Sequence, residues 1–321
     1  MKEQLQSIKN LGKAVGITAL MALGAKEGVS QTTQPVKTEQ SEVKRIESPR
    51  LAEMSDANMP DGFERKHLYA KLNGKETNMG SVFFFEPGKT QARFLSNDKH
   101  GECFPSKPNY EAVENIVKQD GEELVIAFAG AYRSPSGNIE GVAYENGESV
   151  GETSYSKWHG FVYVGQNGNI EMYRMKDAQG NFNQGGADAL VSKAQKEKGS
   201  LYQQIPAIWN GDQKLKPSGT GVFEMRAICE NKNGDKFIIN CTEKITQDAF
   251  LKMCLELKDE EGNPAVYNLM LTDTGECSLA AFRDKNQIES DKKTGGFTSH
   301  QMNDEQFQQK GFTNLLVLSQ Y

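Results

Sequence analysis

No block of Lys or Arg long enough to track a nucleic-acid backbone occurs in the 321 residues, and the formal net charge is −6. That balance leaves no electrostatic footprint for DNA or RNA. It does not exclude a phosphorylated ligand, because anion binding follows local groups rather than the total charge. The four histidines, His67, His100, His159 and His300, are scattered, and there is no C-x-x-C or Cys/His spacing. A metal site is therefore not expected. Walker A, G-x-G-x-x-G and H-E-x-x-H motifs are all missing, so no nucleotide or dinucleotide-cofactor reading arises. Cysteine is sparse and odd in number, with five. Cys229, Cys241 and Cys254 each stand in an apolar pattern and read as buried thiols that behave as small hydrophobes.

Apolar residues make up only 37% and the mean hydropathy is −0.63, so part of the chain is not expected to fold. No apolar run reaches the roughly 18 residues that span a bilayer. The twelve-residue stretch Ala14–Ala25, AVGITALMALGA, follows Lys2, Lys9 and Lys13 and carries small residues at Ala22 and Gly24. It reads as a secretory leader over residues 1–25, predicting an exported protein, periplasmic, secreted or envelope-associated through its N-terminus. Residues 26–50 are rich in Gln, Thr, Ser, Glu and Lys without an aromatic. They predict a disordered tether extending to residue 60, followed by one folded domain over residues 61–321.

What the folded part contains is turn-punctuated β pattern. Asn146-Gly147, Asn167-Gly168 and Asn233-Gly234 each lie between β-type runs, where both central residues must tolerate positive φ. SVFFFEPGKTQARFLS predicts two strands about Pro87-Gly88, and Leu315–Leu318 a last strand. One helix is expected at TQDAFLKMCLELKDE, with Thr246 as N-cap and Phe250, Cys254 and Leu257 as its buried stripe. Residues 186–199 predict a second. The resulting class is α+β: a hairpin-built mixed sheet with one or two helices packed on it.

Three polar features interrupt the apolar segments. Alternation in Phe223–Cys229 puts Glu224, Arg226 and Ile228 on one face and Met225, Ala227 and Cys229 on the other. Arg226 then needs a carboxylate, a phosphate or solvent as partner. A surface Arg paired with a nearby Glu satisfies that need without any ligand. The second feature is YNLMLTDTGECSLAAF, Tyr267–Phe282, an apolar strand that runs into Asp273, Gly275, Glu276 and Ser278. This is either a β-turn or an active-site loop at a strand end. The third is QQIPAIWNGDQKL, Gln203–Leu215, whose Asn210-Gly211 reads most simply as another hairpin.

Taken in order, AGAYRSPSGNIEGVAYENGE, QQIPAIWNGDQ, MRAICENKNGDKFII and YNLMLTDTGECS resemble the phosphodiester glycosidase family over roughly residues 120–285. Gly130-Ala131-Tyr132 looks like the family's G-x-F segment, Pro206 to Gly211 its P-x-L-h-x-x-G strand, and Arg226-Ala227-Ile228 its R-x-A-I-G strand. Asp273, Gly275 and Ser278 fall where the family has L-D-G-G-G-S. Three departures stand out: the glycine run is Thr274-Gly275-Glu276, the Asn of the first segment is Phe128 or Ala129, and Cys229 replaces a Gly.

The resemblance implies a glycosidase-like hydrolase acting on a sugar phosphodiester or envelope glycoconjugate. Its catalytic residues would be Asp273, Arg226 and Glu276, with Gly275, Ser278, Tyr132 and Asn210 contacting a carbohydrate or sugar-phosphate ligand. It implies no cofactor and no metal. A non-catalytic carbohydrate- or envelope-binding module on the same fold is the alternative, and fold alone does not choose between them. On the sequence alone, replacing Arg226 should spare folding.

Overall fold

The computed structural model describes residues 45–54, 59–104, 110–134, 138–216, 221–272, 279–283, 297–301 and 313–320. Seventeen strands and three α-helices occur among them. In chain order the strands begin with β1 (Ile46–Glu53), β2 (Phe63–Leu72), β3 (Lys75–Phe85) and β4 (Thr90–Ser96), before helix α1 (Tyr110–Gln119). Next come β5 (Glu123–Phe128), β6 (Ala143–Glu145), β7 (Glu148–Ser149), β8 (Gly160–Val164), β9 (Ile170–Arg174) and helix α2 (Gln184–Glu197). Strands β10 (Ser200–Trp209), β11 (Asp212–Gln213), β12 (Val222–Glu230) and β13 (Lys236–Thr246) precede helix α3 (Gln247–Glu256). The chain ends with β14 (Asn268–Leu271), β15 (Leu279–Arg283), β16 (Phe297–Gln301) and β17 (Asn314–Gln320).

The strands form two sheets, and every ladder between them is antiparallel. The larger runs β1-β2-β3-β13-β12-β14-β10-β6-β7, with β8, β9 and β11 branching at β10; the smaller runs β16-β15-β5-β17-β4. Period-2 alternation gives each sheet two apolar faces. Tyr202, Ile228, Ile238 and Met270 of the larger sheet meet Phe94, Phe128, Leu316 and Leu318 of the smaller one, forming the inner core. Helix α3 covers the opposite face of the larger sheet, packing Phe250, Leu251 and Cys254 over Ala227, Cys229, Ile239 and Leu269. Helix α1 does the same for the smaller sheet through Val113 and Val117. The α+β class holds.

Local chemistry explains most boundaries. Thr246 caps α3 as its spacing predicts, its Oγ1 accepting from Ala249 N–H at 3.2 Å. The second expected helix is α2. Asn73-Gly74, Asn146-Gly147 and Asn210-Gly211 have positive φ at both residues, the backbone of a tight primed hairpin turn. At Asn167-Gly168 and Asn233-Gly234 only the glycine does. In the latter loop the Asn231 side-chain oxygen accepts from the N–H groups of Asn233 and Asp235, and Asp177 and Asp259 organise their loops in the same way.

Two expectations need correction. Order begins by Ile46, not near residue 60: Ile46 and Leu51 of β1 pack against the core under α3, and β1 pairs along β2. Residues 1–44, with the leader, lie outside the described residues. Pro87-Gly88 is not a hairpin, since β3 pairs with β2 and β13 while β4 pairs with β17. The segment between them carries the chain from one sheet to the other. The expected last strand at Leu315–Leu318 is present within β17, which runs between β5 and β4 in the smaller sheet. Four cysteines, Cys103, Cys229, Cys241 and Cys254, are free and buried; Cys277 lies outside the described residues.

One buried ion pair ties the turn after β4 to β6. Glu145, wholly buried, accepts from Ser96 N–H at 2.9 Å and Ser96 Oγ at 2.5 Å, and its other oxygen lies 2.7 Å from His100 Nε2. The Glu145 hydrogen bond raises the His100 pKa above its ordinary 6.5, outweighing desolvation. A raised folded-state value means that the stabilisation is complete below the unfolded pKa and is lost as pH rises through the folded one. Thermal unfolding followed upward from about pH 6 should therefore show wild type losing stability more steeply than His100→Gln. Parallel curves would show that the pair contributes nothing.

Candidate functional site

Arg226 is the most informative side chain in the larger sheet. It occupies the middle of β12 on the face that carries Ile228 into the inner core, as alternation predicts, while Met225, Ala227 and Cys229 join the core under α3. Its exposure is 1%, so the surface-Arg reading fails. A guanidinium removed from water requires partners of opposite charge or strong acceptors. Asn240, directly opposite on β13, accepts from Arg226 Nε at 2.9 Å and so fixes the plane of the group. The Phe128 ring lies 5.9 Å from Cζ, within cation–π range.

Arg226 belongs to a polar row that crosses the sheet. Ser81 on β3 stands opposite Asn240, and Asn240 opposite Arg226. Thr272 N–H, one residue past β14, donates to the Arg226 carbonyl at 3.1 Å. Leu271 pairs with Ile205, which puts Gln204 of β10 at the far end of the row. Ser81, Asn240, Arg226, Thr272 and Gln204 are all buried. A row of this kind is anomalous in a sheet whose neighbouring rungs are apolar, and it marks where the inner core gives way to a polar region.

The chain leaving β5 is clamped onto this row. Gln204 Nε2 donates to the Gly130 carbonyl at 2.5 Å, and Asn314 brackets Ala131 by accepting from its N–H at 2.7 Å and donating to its carbonyl at 3.1 Å. A side chain at Gly130 would put its Cβ 2.9 Å from Asn314 Oδ1. Two buried polar atoms here have no hydrogen-bond partner among the described residues: Gln204 Oε1 and the Tyr202 hydroxyl. Tyr202 sits two residues before Gln204 on the same face of β10, stacked on Phe94 with centroids 4.6 Å apart. Burial alone holds its phenol pKa far above the ordinary value.

The sequence candidates are only partly gathered by this geometry. Arg226 and the Gly130-Ala131 segment come together through Gln204 and Phe128. Asp273, Gly275, Glu276 and Ser278 lie outside the described residues; Thr272, the residue before Asp273, is hydrogen-bonded to Arg226 across adjacent antiparallel strands. Tyr132 is turned elsewhere: its ring sits 6.3 Å from that of Trp158 and packs against the core under α3, not the inner core that Arg226 adjoins. Asn210 occupies the turn at the opposite end of β10, about six residues and so roughly 20 Å along the strand from Gln204. It serves the β10–β11 hairpin. The sequence reading passed over Asn240, Tyr202, Gln204 and Asn314. Their common signal is a polar or hydroxyl-bearing side chain within an apolar strand.

No family model matches the chain, and no curated protein matches it. Among solved structures it is similar to the catalytic domain of zebrafish N-acetylglucosamine-1-phosphodiester alpha-N-acetylglucosaminidase, auto-inhibited by its pro-peptide, at 12% identity and TM-score 0.45 over 86% of this chain and 87% of that one. It is also similar to a hypothetical protein from Synechocystis, at 8% identity and TM-score 0.46 over 85% of this chain and 68% of that one. Both likenesses are too distant to assign an activity or a site residue.

Proposed function

We propose that the chain is a glycosidase-like hydrolase that releases a sugar from a phosphodiester or related envelope glycoconjugate, and that it is exported. One observation supports the reading: a buried arginine, oriented by Asn240, shares a rung with Thr272, the residue before Asp273 in sequence, and lies against Phe128 at the start of the Gly130-Ala131 segment. In this reading the Arg226 fork binds phosphate oxygens. Asp273 supplies the carboxylate that attacks or stabilises the oxocarbenium-like sugar, and Glu276 is the second carboxyl group that glycosidic cleavage usually employs. Gly275 N–H and Ser278 would contact the phosphate. These four roles rest on the sequence resemblance.

The unpartnered Tyr202 hydroxyl supplies a test. A buried hydroxyl without an acceptor destabilises the fold, so Tyr202→Phe should raise stability by about 1–2 kcal/mol. If the hydroxyl is retained for a ligand, the same variant should lower kcat/KM on a sugar-1-phosphodiester by about tenfold or more. A variant that is more stable and equally active removes Tyr202 from the site.

The non-catalytic binding module is favoured by a different observation, the near-complete burial of Arg226. A cavity of about 370 Å³ along β4 and another of about 670 Å³ near the 231–233 turn and Asp259 are both lined without it. Hydrolysis of a phosphodiester-linked sugar by the purified chain decides between the two readings.

A further inference from the structure

The cavity of about 370 Å³ runs along the outer edge of β4, on the side away from β17. Backbone direction alternates along that strand. The Gln91 carbonyl and Asn97 N–H face β17, where they meet Ser319 Oγ at 3.2 Å and the Thr313 carbonyl at 2.8 Å. Ala92 and Ser96 face the other way, donating to the Gly168 carbonyl at 3.2 Å and to Glu145 at 2.9 Å. Phe94, between them, therefore directs its N–H to the same outer edge, where no strand among the described residues pairs with β4.

The described wall carries three basic side chains beside the neutral polar Gln91, Asn146, Gln166 and Ser200. Arg93, His100 and Lys198 line it, and none of its described lining residues is acidic. Arg93 donates through its terminal nitrogens to Asp120 and Glu122, but its buried Nε has no partner among the described residues. Glu145 stands behind His100 and fixes the imidazole through Nε2. The same hydrogen bond raises the imidazole pKa, which favours the cationic form. Lys198 caps α2 in the left-handed conformation. Its ammonium forms no ion pair among the described residues, and its charge reaches Glu148 only weakly.

We propose that this cavity is a second ligand site, taking a phosphate-type oxyanion independently of Arg226. An oxyanion supplies an acceptor for Phe94 N–H and a counter-charge for Lys198 and the His100 imidazolium, and charge-assisted bonds to it are the strong kind. The volume exceeds that of a bare ion and suits one carried on a small molecule such as a sugar phosphate.

Calorimetric titration of the full chain with inorganic phosphate and with glucose 1-phosphate tests the proposal. Saturable binding is expected. Lys198→Asn, which keeps a residue tolerant of the left-handed cap, and His100→Gln should each weaken it by about tenfold, and Arg226→Lys should leave it unchanged. Phosphate binding without glucose 1-phosphate binding would identify the free ion as the ligand and still support the site. No saturation in the millimolar range, indifference to both cavity variants, or loss in Arg226→Lys would overturn it. Because the Arg226 variant is a separate arm, failure here leaves the hydrolase reading standing, and the reverse holds too.

Discussion

Arg226→Ala should unfold the protein at a markedly lower temperature than wild type, contrary to the expectation from sequence alone. Removing a buried guanidinium strands Asn240 Oδ1 and vacates a site that is 1% exposed. Leaving a buried neutral acceptor unsatisfied costs about 1–3 kcal/mol, and the volume vacated by the side chain adds a cavity cost, for a total of about 3–5 kcal/mol. For a domain of this size each kcal/mol corresponds to about 2–4 °C, so a fall on the order of 10 °C is expected. Arg226→Lys separates this structural role from the chemical one. Lysine keeps the charge but not the planar fork. It should recover part of the lost stability while kcat/KM on a sugar-1-phosphodiester stays at least about 100-fold below wild type. Differential scanning calorimetry and initial-rate kinetics on the same preparations measure both. A stable, fully active Lys variant would remove bidentate recognition from the mechanism.

Gly80→Ala should be as damaging, although glycine-to-alanine is chemically small. Gly80 lies opposite Cys241 in the β3–β13 ladder with φ of +139°, which L side chains rarely adopt. An added Cβ would stand 2.1 Å from the Asn240 carbonyl oxygen and 3.0 Å from Thr242 N. These are backbone atoms and cannot rotate aside. The strand must shift, and Asn240 is the residue that orients Arg226. A loss of more than about 3 kcal/mol is expected, with activity falling beyond what the unfolded fraction explains. Gly74→Ala is the control: its φ is +81°, but nothing lies within 4 Å of the added carbon. Strain alone should remove only about 1 kcal/mol there. Equal effects at the two positions would refute the steric account.

What was legible in the sequence was what is local. Thr246 and the Phe250/Cys254 stripe announce α3, Asn-Gly pairs announce hairpins, and alternation correctly divides Arg226 and Ile228 from Met225 and Cys229. The division into two sheets was not legible. Whether β4 pairs with β3 or with β17 depends on contacts more than 200 residues apart in sequence, and the Pro87-Gly88 turn is the same in either case. Helix α1 was missed because its apolar stripe is short, resting on Val113 and Val117. At the site, the type and spacing of Arg226 drew attention, but its burial did not, because depth is set by the second sheet stacked over β12. Gln204 and Asn240 were unreadable for the same reason: a polar residue in a strand means little until the face it occupies is known.

The most direct measurement is release of free sugar from a sugar-1-phosphodiester by the purified chain, run beside Arg226→Lys and Asp273→Asn. The account predicts turnover by the wild type and a loss of at least about 100-fold in both variants, with each still folded by circular dichroism. Wild-type turnover that neither substitution slows, or no turnover in a chain that still binds the intact glycoconjugate, would contradict it.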